Sequence, residues 1–333
     1  MGVIDIVNGV NNYNVMKSFI KANHIIKCHN NILVSISGGS DSDIMIDMFE
    51  RLRGGQRITY VWFNTGLEYQ ATKDHLDYLE NKYNIKIERI LAVKPIPTCC
   101  KEYGQPFLSK FVSQMIEGLQ KHNFKWEDKS YEELIKEYPK AKSYIGWWTN
   151  HRDTKEYGFS MFNINYNKYL KEFLIQNPPT FKISSKCCEY AKKRPAKQYK
   201  KIISPDLNVI GVRKAEGGIR ATSYKSCFDD KTGEPDEFRP IFWLKDEDKK
   251  DYEKFFKVKH SDCYEKWGMK RTGCVGCPFN IKVLEELELV QKYEPKLYKA
   301  CMNIFGKSYE YTEKYRRFKA KKKLEETGQM TFW

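Results

Sequence analysis

The sequence has no long hydrophobic run, and this absence predicts that no helix of the chain spans a membrane. No stretch comes close to the roughly 18 apolar residues that a membrane helix needs, so we expect no membrane partner. The first residues, MGVIDIVNGVNNYNV, include an acid and lack the basic segment of a secretory signal, which predicts a cytoplasmic protein. Hydrophobic residues make up 41% of the 333-residue chain, enough to form a folded core.

Acidic residues are too few to balance the basic ones. The chain has 58 Lys and Arg against 43 Asp and Glu, a net charge of +15. This excess favours polyanionic partners, such as nucleotides, DNA or RNA, and it is densest in residues 314–323, KYRRFKAKKK. The alternative is that the lysines only solvate the surface.

Ten cysteines in a chain without a secretion signal indicate metal or redox chemistry rather than disulfides. They are clustered, because Cys99 is followed by Cys100, Cys187 by Cys188, and Cys274 lies three residues before Cys277. Two thiolates from one short segment suit a metal ion or an iron–sulfur cluster.

Apolar periodicity predicts an α/β fold. The β-prone runs 31–36, 57–65 and 85–93 alternate with helical patterns at 15–28, 44–52 and 69–84. Short connections between such elements are typical of a parallel, doubly wound sheet covered by helices.

Beyond residue 95 the pattern changes, and we predict four segments. Residues 1–95 form a nucleotide-binding half, and 96–183 form a helical insertion rich in Tyr, Trp and Lys. Residues 184–280 contain a further strand at 208–215, a second phosphate-binding segment and a loop-rich region with most of the later cysteines. Residues 281–333 form a helical, basic tail.

The stretch between the first strand and the next helix, SGGSDS at residues 37–42, predicts a phosphate-binding loop. The Gly-Lys-Ser/Thr of the P-loop and the G-x-G-x-x-G of dinucleotide folds are both absent from this stretch. Glycines let backbone amides converge on an anion at a helix N-terminus, and hydroxyls can donate as well. Asp41 would repel a phosphate, so we expect it to hold Mg²⁺ or to cap the helix. The predicted nucleotide-binding residues are Ser37, Gly38, Gly39, Ser40, Asp41 and Ser42.

This loop resembles the PP-loop, SGG-x-D-S, of adenine nucleotide alpha-hydrolase-like enzymes, which act at the α-phosphate of ATP or another adenine nucleotide. Residues 63–79 resemble the DTG…PET segment of phosphoadenosine-phosphosulfate (PAPS) reductases, with Asn64 in place of the Asp. The resemblance adds Thr65 and Gly66 to the nucleotide site. It implies a Rossmann-like PP-loop sheet with an inserted helical segment and a cysteine-rich metal module.

Residues 208–222, NVIGVRKAEGGIRAT, resemble a G-x-R-x-x-x-S-x-x-R block of the same superfamily. The resemblance makes Arg213 and Arg220 candidates to neutralise phosphate or sulfate, so the predicted catalytic residues are Asp41, Arg213 and Arg220. The alternative is that both are surface arginines.

The cysteine segments KCCEYAKKRP (186–195) and GCVGCP (273–278) resemble the cluster-binding segments of iron–sulfur sulfonucleotide reductases. Four thiolates suit a four-iron four-sulfur cluster, or zinc instead. The spacing of Cys263 from Cys274 also resembles that of DNA-phosphorothioation sulfurtransferases and phage-encoded relatives, so Cys188 and Cys263 compete for the last ligand position and Cys227 is a spare. Buried thiols without metal are the alternative. The predicted metal ligands are Cys187, Cys188, Cys263, Cys274 and Cys277.

The reaction is less constrained than the fold. Sulfonucleotide reductases use a nucleophilic cysteine near the C-terminus, but this chain has no cysteine after Cys301, which lies in an apolar helical context. We therefore predict an iron–sulfur ATP pyrophosphatase and sulfurtransferase that activates DNA, RNA or a small molecule with the help of a sulfur-donor protein. The alternatives are a reductase that releases sulfite using a reductant protein, and a nucleotide- or nucleic-acid-binding module without catalysis. For Cys99 and Cys100 we expect core packing, and the alternative is a thiol pair for sulfur handling.

Overall fold

A computed structural model describes residues 9–152, 160–217 and 223–328. The chain divides into two compact units. The sheet unit consists of residues up to Pro95 together with Tyr190–Val275, and the helical unit consists of Ile96–Glu189 together with the residues from Gly276 onward. The four segments predicted from the sequence stay a prediction.

The strands and helices follow each other in chain order. The strands are β1 (Asn31–Ile36), β2 (Arg57–Asn64), β3 (Ile87–Leu91), β4 (Leu207–Ile210), β5 (Phe228–Asp229) and β6 (Asp236–Phe238). The longer helices are α1 (Tyr13–Lys27), α2 (Ser40–Leu52), α3 (Gln70–Tyr83), α4 (Ile96–Tyr103), α5 (Lys110–Lys121), α6 (Tyr131–Glu137), α7 (Lys142–Trp148), α8 (Leu170–Gln176), α9 (Arg194–Ile203), α10 (Asp246–Phe256), α11 (Asp262–Glu265), α12 (Val283–Tyr293) and α13 (Pro295–Thr327). A short helical turn, Lys186–Cys188, leads into a π-helical turn, Glu189–Lys193.

The sheet unit is built on a mostly parallel six-stranded sheet with the order β3-β2-β1-β4-β6-β5. β1 pairs in parallel with both neighbours, so that Val34 faces Tyr60 on β2 and Val209 on β4. Only the short pair β5–β6 is antiparallel. The α/β sheet predicted from the alternation of strands and helices is confirmed.

Residues 227–280 are the region that the sequence predicts to be loop-rich, and most of them lie outside strands and helices. This region contains β5, β6, α10 and α11. The two strands are only 2 and 3 residues long, too short for alternating burial to be visible in the sequence. Tyr252 of α10 is fully buried and stacks on Phe19 of α1, with ring centroids 5.6 Å apart. α10 is therefore part of the main hydrophobic core of this unit.

The helical unit has a separate core rich in aromatic side chains. Trp147 and Trp148 are fully buried. Tyr311 of α13 packs against Phe107 and Phe173, with ring centroids 4.9 and 5.1 Å away. The 33-residue helix α13 thus contributes Tyr311 and Tyr315 to this core, with Phe318 packed against it. Among the described residues, no helix is long and apolar enough to cross a membrane.

Candidate functional site

The sheet unit contains an open cavity of about 960 Å³, which is large enough to hold a nucleotide with space left over. Its wall includes the ends of β1 and β4 at Ile36 and Ile210. In open parallel sheets, ligands bind at the carboxyl ends of the strands. The predicted loop lies at this position, and its residues in the cavity wall are Ser37, Gly39, Ser40, Asp41 and Ser42.

The loop is held in shape by its own hydroxyls. The Ser37 amide donates to Ser42 Oγ at 2.9 Å, and the two hydroxyl oxygens lie 3.1 Å apart. Gly38 has a φ of +71°, and a Cβ there would lie 2.5 Å from Thr72 Cγ2, so only glycine fits. Ser42 therefore closes the turn between β1 and α2, while Gly39 starts the helix at the cavity wall.

Asp41 is bound by two cations. Its Oδ1 accepts from Lys249 Nζ at 2.7 Å, and its Oδ2 accepts from Arg213 Nε at 3.1 Å. Burial alone would raise the pKa of Asp41, but Lys249 and Arg213 outweigh burial and hold this pKa below its ordinary value. The structure brings the predicted Asp41 and Arg213 together. The role of Asp41 as a magnesium ligand stays a prediction. In this structure both of its carboxylate oxygens accept hydrogen bonds from cationic side chains.

Lys249 is the functional residue that sequence reasoning missed. It lies on α10 and also contacts the Ser40 hydroxyl, so one ammonium reaches two residues of the loop. The loop itself has no lysine, and the missing cation was expected to come from elsewhere in the chain. The acidic start of α10 at Asp246, Glu247 and Asp248 is the signal that could have revealed a helix here.

A second group of cations lines the cavity on α9 and on the loop that follows α11. In the described part of the chain, none of these four basic residues has an acidic side chain within ion-pair distance. They give this wall a positive potential suited to phosphate groups. The four are Lys197, Lys200, Lys270 and Arg271.

The loop after β2 contributes an acidic residue, Glu68, to the cavity wall. Thr65 is buried, and its hydroxyl donates to Glu68 Oε1 at 2.5 Å. Glu68 lines the cavity, and burial raises its pKa in spite of the nearby Lys192. Gly66 has a φ of +81°, and a Cβ there would lie 2.7 Å from Pro95 Cβ. Thr65 and Gly66 thus shape the loop that presents Glu68.

The loop glycine is covered by the segment that contains Cys263. A Cβ on Gly39 would lie 3.0 Å from the Tyr264 hydroxyl and 3.2 Å from Thr272 Oγ1. These two hydroxyl oxygens are 2.9 Å apart and form a hydrogen bond, which holds the two ends of residues 264–272 together beside the loop. Cys263 itself is fully buried in α11.

A buried carboxylate, Asp43, lies in the first turn of α2, the helix that follows the loop. Asp43 is fully buried, with His260 Nδ1 2.7 Å from Oδ2 and His75 Nε2 3.0 Å from Oδ1. On its other side, His260 Nε2 is 3.0 Å from Glu253 Oε1. Burial lowers the pKa of His260, but the two carboxylates outweigh burial and raise this pKa to about 9. His260 is therefore cationic at neutral pH.

Other predicted residues are placed as follows. Arg220 lies outside the described residues. Cys263 and Cys274 belong to the sheet unit, whereas Cys187, Cys188 and Cys277 belong to the helical unit. All ten cysteines lie in described segments, and no disulfide joins any of them.

The expectation that Cys100 only packs in the core was incomplete. Cys100 is buried, but it also forms a hydrogen bond with the Cys187 thiol. This bond raises the pKa of Cys187, while the Cys188 thiol acts in the opposite direction. The chemistry of these sulfur donors fits a soft metal. Within residues 9–152, 160–217 and 223–328, no three His, Cys, Asp or Glu side chains already have the arrangement of a metal-ion site.

Comparison with known proteins gives one family. Residues 31–156, less than half of the chain, match the family model described as phosphoadenosine phosphosulfate reductase domain. A crystal structure of phosphoadenylyl-sulfate (PAPS) reductase from Candida auris in complex with phosphate is 12% identical, covering 77% of this chain and 87% of that chain, with a TM-score of 0.41. The NH3-dependent NAD synthetase from Campylobacter jejuni, in complex with a nitrate ion, is 13% identical, covering 93% and 96%, with a TM-score of 0.35. No curated protein matches the chain in sequence. Over the segment that carries the loop at residues 37–42, this chain is therefore similar to the phosphoadenosine phosphosulfate reductase domain family.

Proposed function

We propose that the protein is a PP-loop enzyme that binds ATP in the cavity of the sheet unit and catalyses substitution at its α-phosphate, with pyrophosphate as the leaving group. The observation that carries this proposal is the joint position of the loop, Arg213 and Lys249 in one cavity wall. The family match of residues 31–156 supports an adenine nucleotide as the ligand.

The chemistry follows from the charges of the wall. The N-terminus of α2 and the amides of the loop provide dipoles for phosphate oxygens. Arg213 and Lys249 provide positive charge beside the same loop, and Asp41 holds both in place. Preorganised donors of this kind stabilise the charge that develops on departing pyrophosphate. Mg²⁺ bound to the nucleotide would neutralise further phosphate charge.

The acceptor is the second part of the proposal. The cations on α9 and near Arg271 extend the positive wall beyond the loop, which supports a second polyanionic substrate such as DNA or RNA. We propose that a sulfur-donor protein supplies sulfur at the oxidation level of sulfide, which attacks the adenylated acceptor, so that a bond from sulfur to the acceptor forms while the bond to AMP breaks and AMP leaves. An iron–sulfur centre, when bound, would supply a site for sulfur or electron transfer. The cysteines of the helical unit are the residues available to hold it.

The reductase alternative has less support from the structure. Its candidate nucleophile in this sequence is Cys301, the last of the ten cysteines. Cys301 is fully buried, and burial together with Glu286 raises its pKa to about 12. A thiol in this environment is a poor nucleophile at neutral pH, since the thiolate is the reactive form.

The test is a product assay. We expect ATP with Mg²⁺ to yield AMP and pyrophosphate, with more product when DNA or RNA is added. Asp41→Asn and Arg213→Ala should each lower the rate by at least about tenfold. Arg213→Ala removes a cation from the phosphate site, and Asp41→Asn weakens the contacts that position Arg213 and Lys249. Asp74→Asn is the control, since this exposed carboxylate contacts only Gln70 among the described hydrogen bonds. Release of sulfite from a sulfonucleotide without pyrophosphate from ATP would favour the reductase. An absence of both products would favour a binding module without catalysis.

A further inference from the structure

Two cationic side chains share one carboxylate oxygen beside the loop at residues 37–42. His260 Nε2 lies 3.0 Å from Glu253 Oε1, and Lys249 Nζ lies 3.8 Å from the same oxygen. The Lys249 ammonium is closer to the loop, since it lies 2.7 Å from Asp41 Oδ1. Glu253 thus has two cationic neighbours, and in this structure His260 is the nearer one.

Helix geometry by itself favours the other pairing. Lys249 and Glu253 are four positions apart on α10, the spacing at which side chains of opposite charge meet on a helix surface. Both side chains are largely buried, with exposed fractions of 13% and 23%, so salt and water screen their attraction less than at an open surface. Without another cation at Glu253, we expect the Lys249 ammonium to turn toward this carboxylate and away from the loop.

The end of α10 brings His260 to Glu253. Lys257 takes a left-handed conformation with a φ of +51°, and the amides of Lys257 and Val258 both donate to the Glu253 carbonyl. The chain therefore turns sharply after the helix, and His260 comes to lie beside Glu253. The His260 amide donates to Glu265 Oε1 at 3.0 Å, which fixes the backbone of His260 just before α11.

A second carboxylate holds the imidazole of His260 on its other side. His260 Nδ1 lies 2.7 Å from Oδ2 of the fully buried Asp43, so each ring nitrogen faces one carboxylate. A ring with an N–H on both nitrogens suits this position, and that form of histidine is the cation. His75 Nε2 lies 3.0 Å from Asp43 Oδ1 and holds this carboxylate from the opposite side.

We propose that His260 is a positioning residue for nucleotide binding, because it occupies the Glu253 carboxylate and thereby leaves the Lys249 ammonium at the loop, where phosphate binds. Charges alternate from Asp43 through His260 and Glu253 to Lys249 and Asp41, so each group is held by neighbours of the opposite sign. Without the charge of His260, the Glu253 carboxylate would compete with phosphate for Lys249.

This role rests on the proposed ATP site, so the test measures ATP affinity by calorimetry at neutral pH in the full-length protein. We expect His260→Gln to weaken ATP binding by about 5- to 10-fold, because an uncharged glutamine leaves Glu253 free to bind Lys249. Adding Glu253→Gln should restore the affinity to within about twofold of the wild type, since the competing carboxylate is then gone. A histidine that only supports the fold would not be rescued by this second substitution.

Two further variants control the rescue. Glu247 is an exposed residue of α10, so Glu247→Gln is the same change of charge on the same helix. His260→Gln combined with Glu247→Gln should bind ATP as weakly as His260→Gln alone. In a Lys249→Gln protein, His260→Gln should change the affinity by less than about twofold, because the cation through which it acts is absent.

The outcomes separate this role from the nucleotide site itself. Wild-type affinity in His260→Gln would overturn the positioning role while the ATP site stands. So would weak binding that Glu253→Gln does not restore, or an equal loss of affinity in the Lys249→Gln protein. A wild type that does not bind ATP would overturn the proposed nucleotide site, and this role with it.

A second measurement covers the case in which His260→Gln does not fold. It compares the ATP affinity of the wild type and of Glu253→Gln between pH 8 and 10. The titratable and charged groups around His260 are Asp43 on α2, Glu253 and Lys249 on α10, Tyr264 and Glu265 on α11 and, across Asp43, His75 and Tyr78 on α3.

Burial lowers the pKa of His260, but Asp43 and Glu253 outweigh burial and raise this pKa to about 9. The charged form that occupies Glu253 is therefore lost as the pH rises through about 9, and wild-type affinity should fall by about three- to fivefold. In Glu253→Gln, where no carboxylate draws Lys249 away, the affinity should change by less than about twofold. The same alkaline loss in both proteins would contradict the role of His260.

Discussion

Arg213 Nε lies 3.1 Å from Asp41 Oδ2, although 172 positions separate the two residues in the chain. The pair joins two sequence motifs that each predict phosphate binding. Arg213 also donates to Asp246 Oδ1 at 2.7 Å, so its guanidinium is held from two sides. A guanidinium fixed in this way is preorganised for a phosphate group, since it loses little side-chain freedom when the ligand binds.

The first prediction concerns Gly39. We expect Gly39→Val to weaken ATP binding by at least about tenfold, because the side chain would crowd Tyr264 and Thr272 and block the approach of phosphate to the amides. Gly55→Val is the control, since a Cβ at Gly55 would meet no atom within 4 Å. Calorimetry measures both variants. Unchanged affinity in a folded Gly39→Val protein would remove the loop from the site.

The second prediction concerns the missed cation. Lys249→Gln should weaken ATP binding by about 10- to 100-fold, which corresponds to the loss of one charge-assisted contact. The exposed neighbour Lys250 gives the control Lys250→Gln, with the same change of charge on the same helix. Equal affinities for these two variants would show that Lys249 serves only to neutralise Asp41.

The third prediction is a pH dependence of stability caused by His260. Its pKa is raised to about 9 by Asp43 and Glu253, against an ordinary value of 6.5. The charged form is therefore favoured in the folded state, so the stabilisation is complete below about pH 6.5 and is lost as the pH rises through about 9. The nearby groups that share this network are His75, on Asp43, and Lys249, 3.8 Å from Glu253.

Denaturant unfolding between pH 6 and 10 measures this effect, which is at most about 3 kcal/mol. His260→Gln should flatten the loss of stability on the alkaline side, because glutamine does not titrate. The exposed His24 provides the control His24→Gln, which should keep the wild-type profile. A wild-type profile in His260→Gln would disprove the assignment.

The fourth prediction separates the two reactions through Cys301. Brief alkylation of the native protein should modify the exposed Cys28 and spare Cys301, because Cys301 is buried and its pKa is raised to about 12. Cys301→Ala should retain release of pyrophosphate within about twofold. Release of sulfite that disappears in Cys301→Ala would instead support the reductase. Product assays and mass spectrometry give the two readouts.

The fifth prediction concerns nucleic acid. Replacing Lys197 and Lys200 with Gln should weaken binding of single-stranded DNA and reduce the slope of log affinity against log salt by about one to two units. Lys17 and Lys27 on α1 are exposed and outside the cavity wall, so their double Gln variant is the control for net charge. If the wild type does not bind DNA even at low salt, a small-molecule acceptor becomes the better proposal.

The sequence by itself determined the strands and helices whose pattern of buried residues can be seen within one short segment. An apolar run precedes residues 37–42 in β1, and a second apolar run follows them in α2. The strand, the loop and the helix were therefore predictable from periodicity and from the glycines. The parallel sheet followed, because strands that alternate with helices leave few other arrangements. Asp41 and Arg213 were each proposed from a segment that resembles a PP-loop family, and each of these segments follows a strand, β1 and β4.

Only the tertiary structure decided which distant side chains complete the sites. Lys249 is 208 positions from Asp41, and no spacing in the sequence connects them. Cys100 had been assigned to packing, yet the pairing of Gln105 with Lys182 and Ser184 brings it to Cys187. His260 and Asp43 meet in the same way, in a buried position beneath the loop. Local patterns specify which segments form strands and helices, but contacts between side chains far apart in the chain depend on how those segments pack.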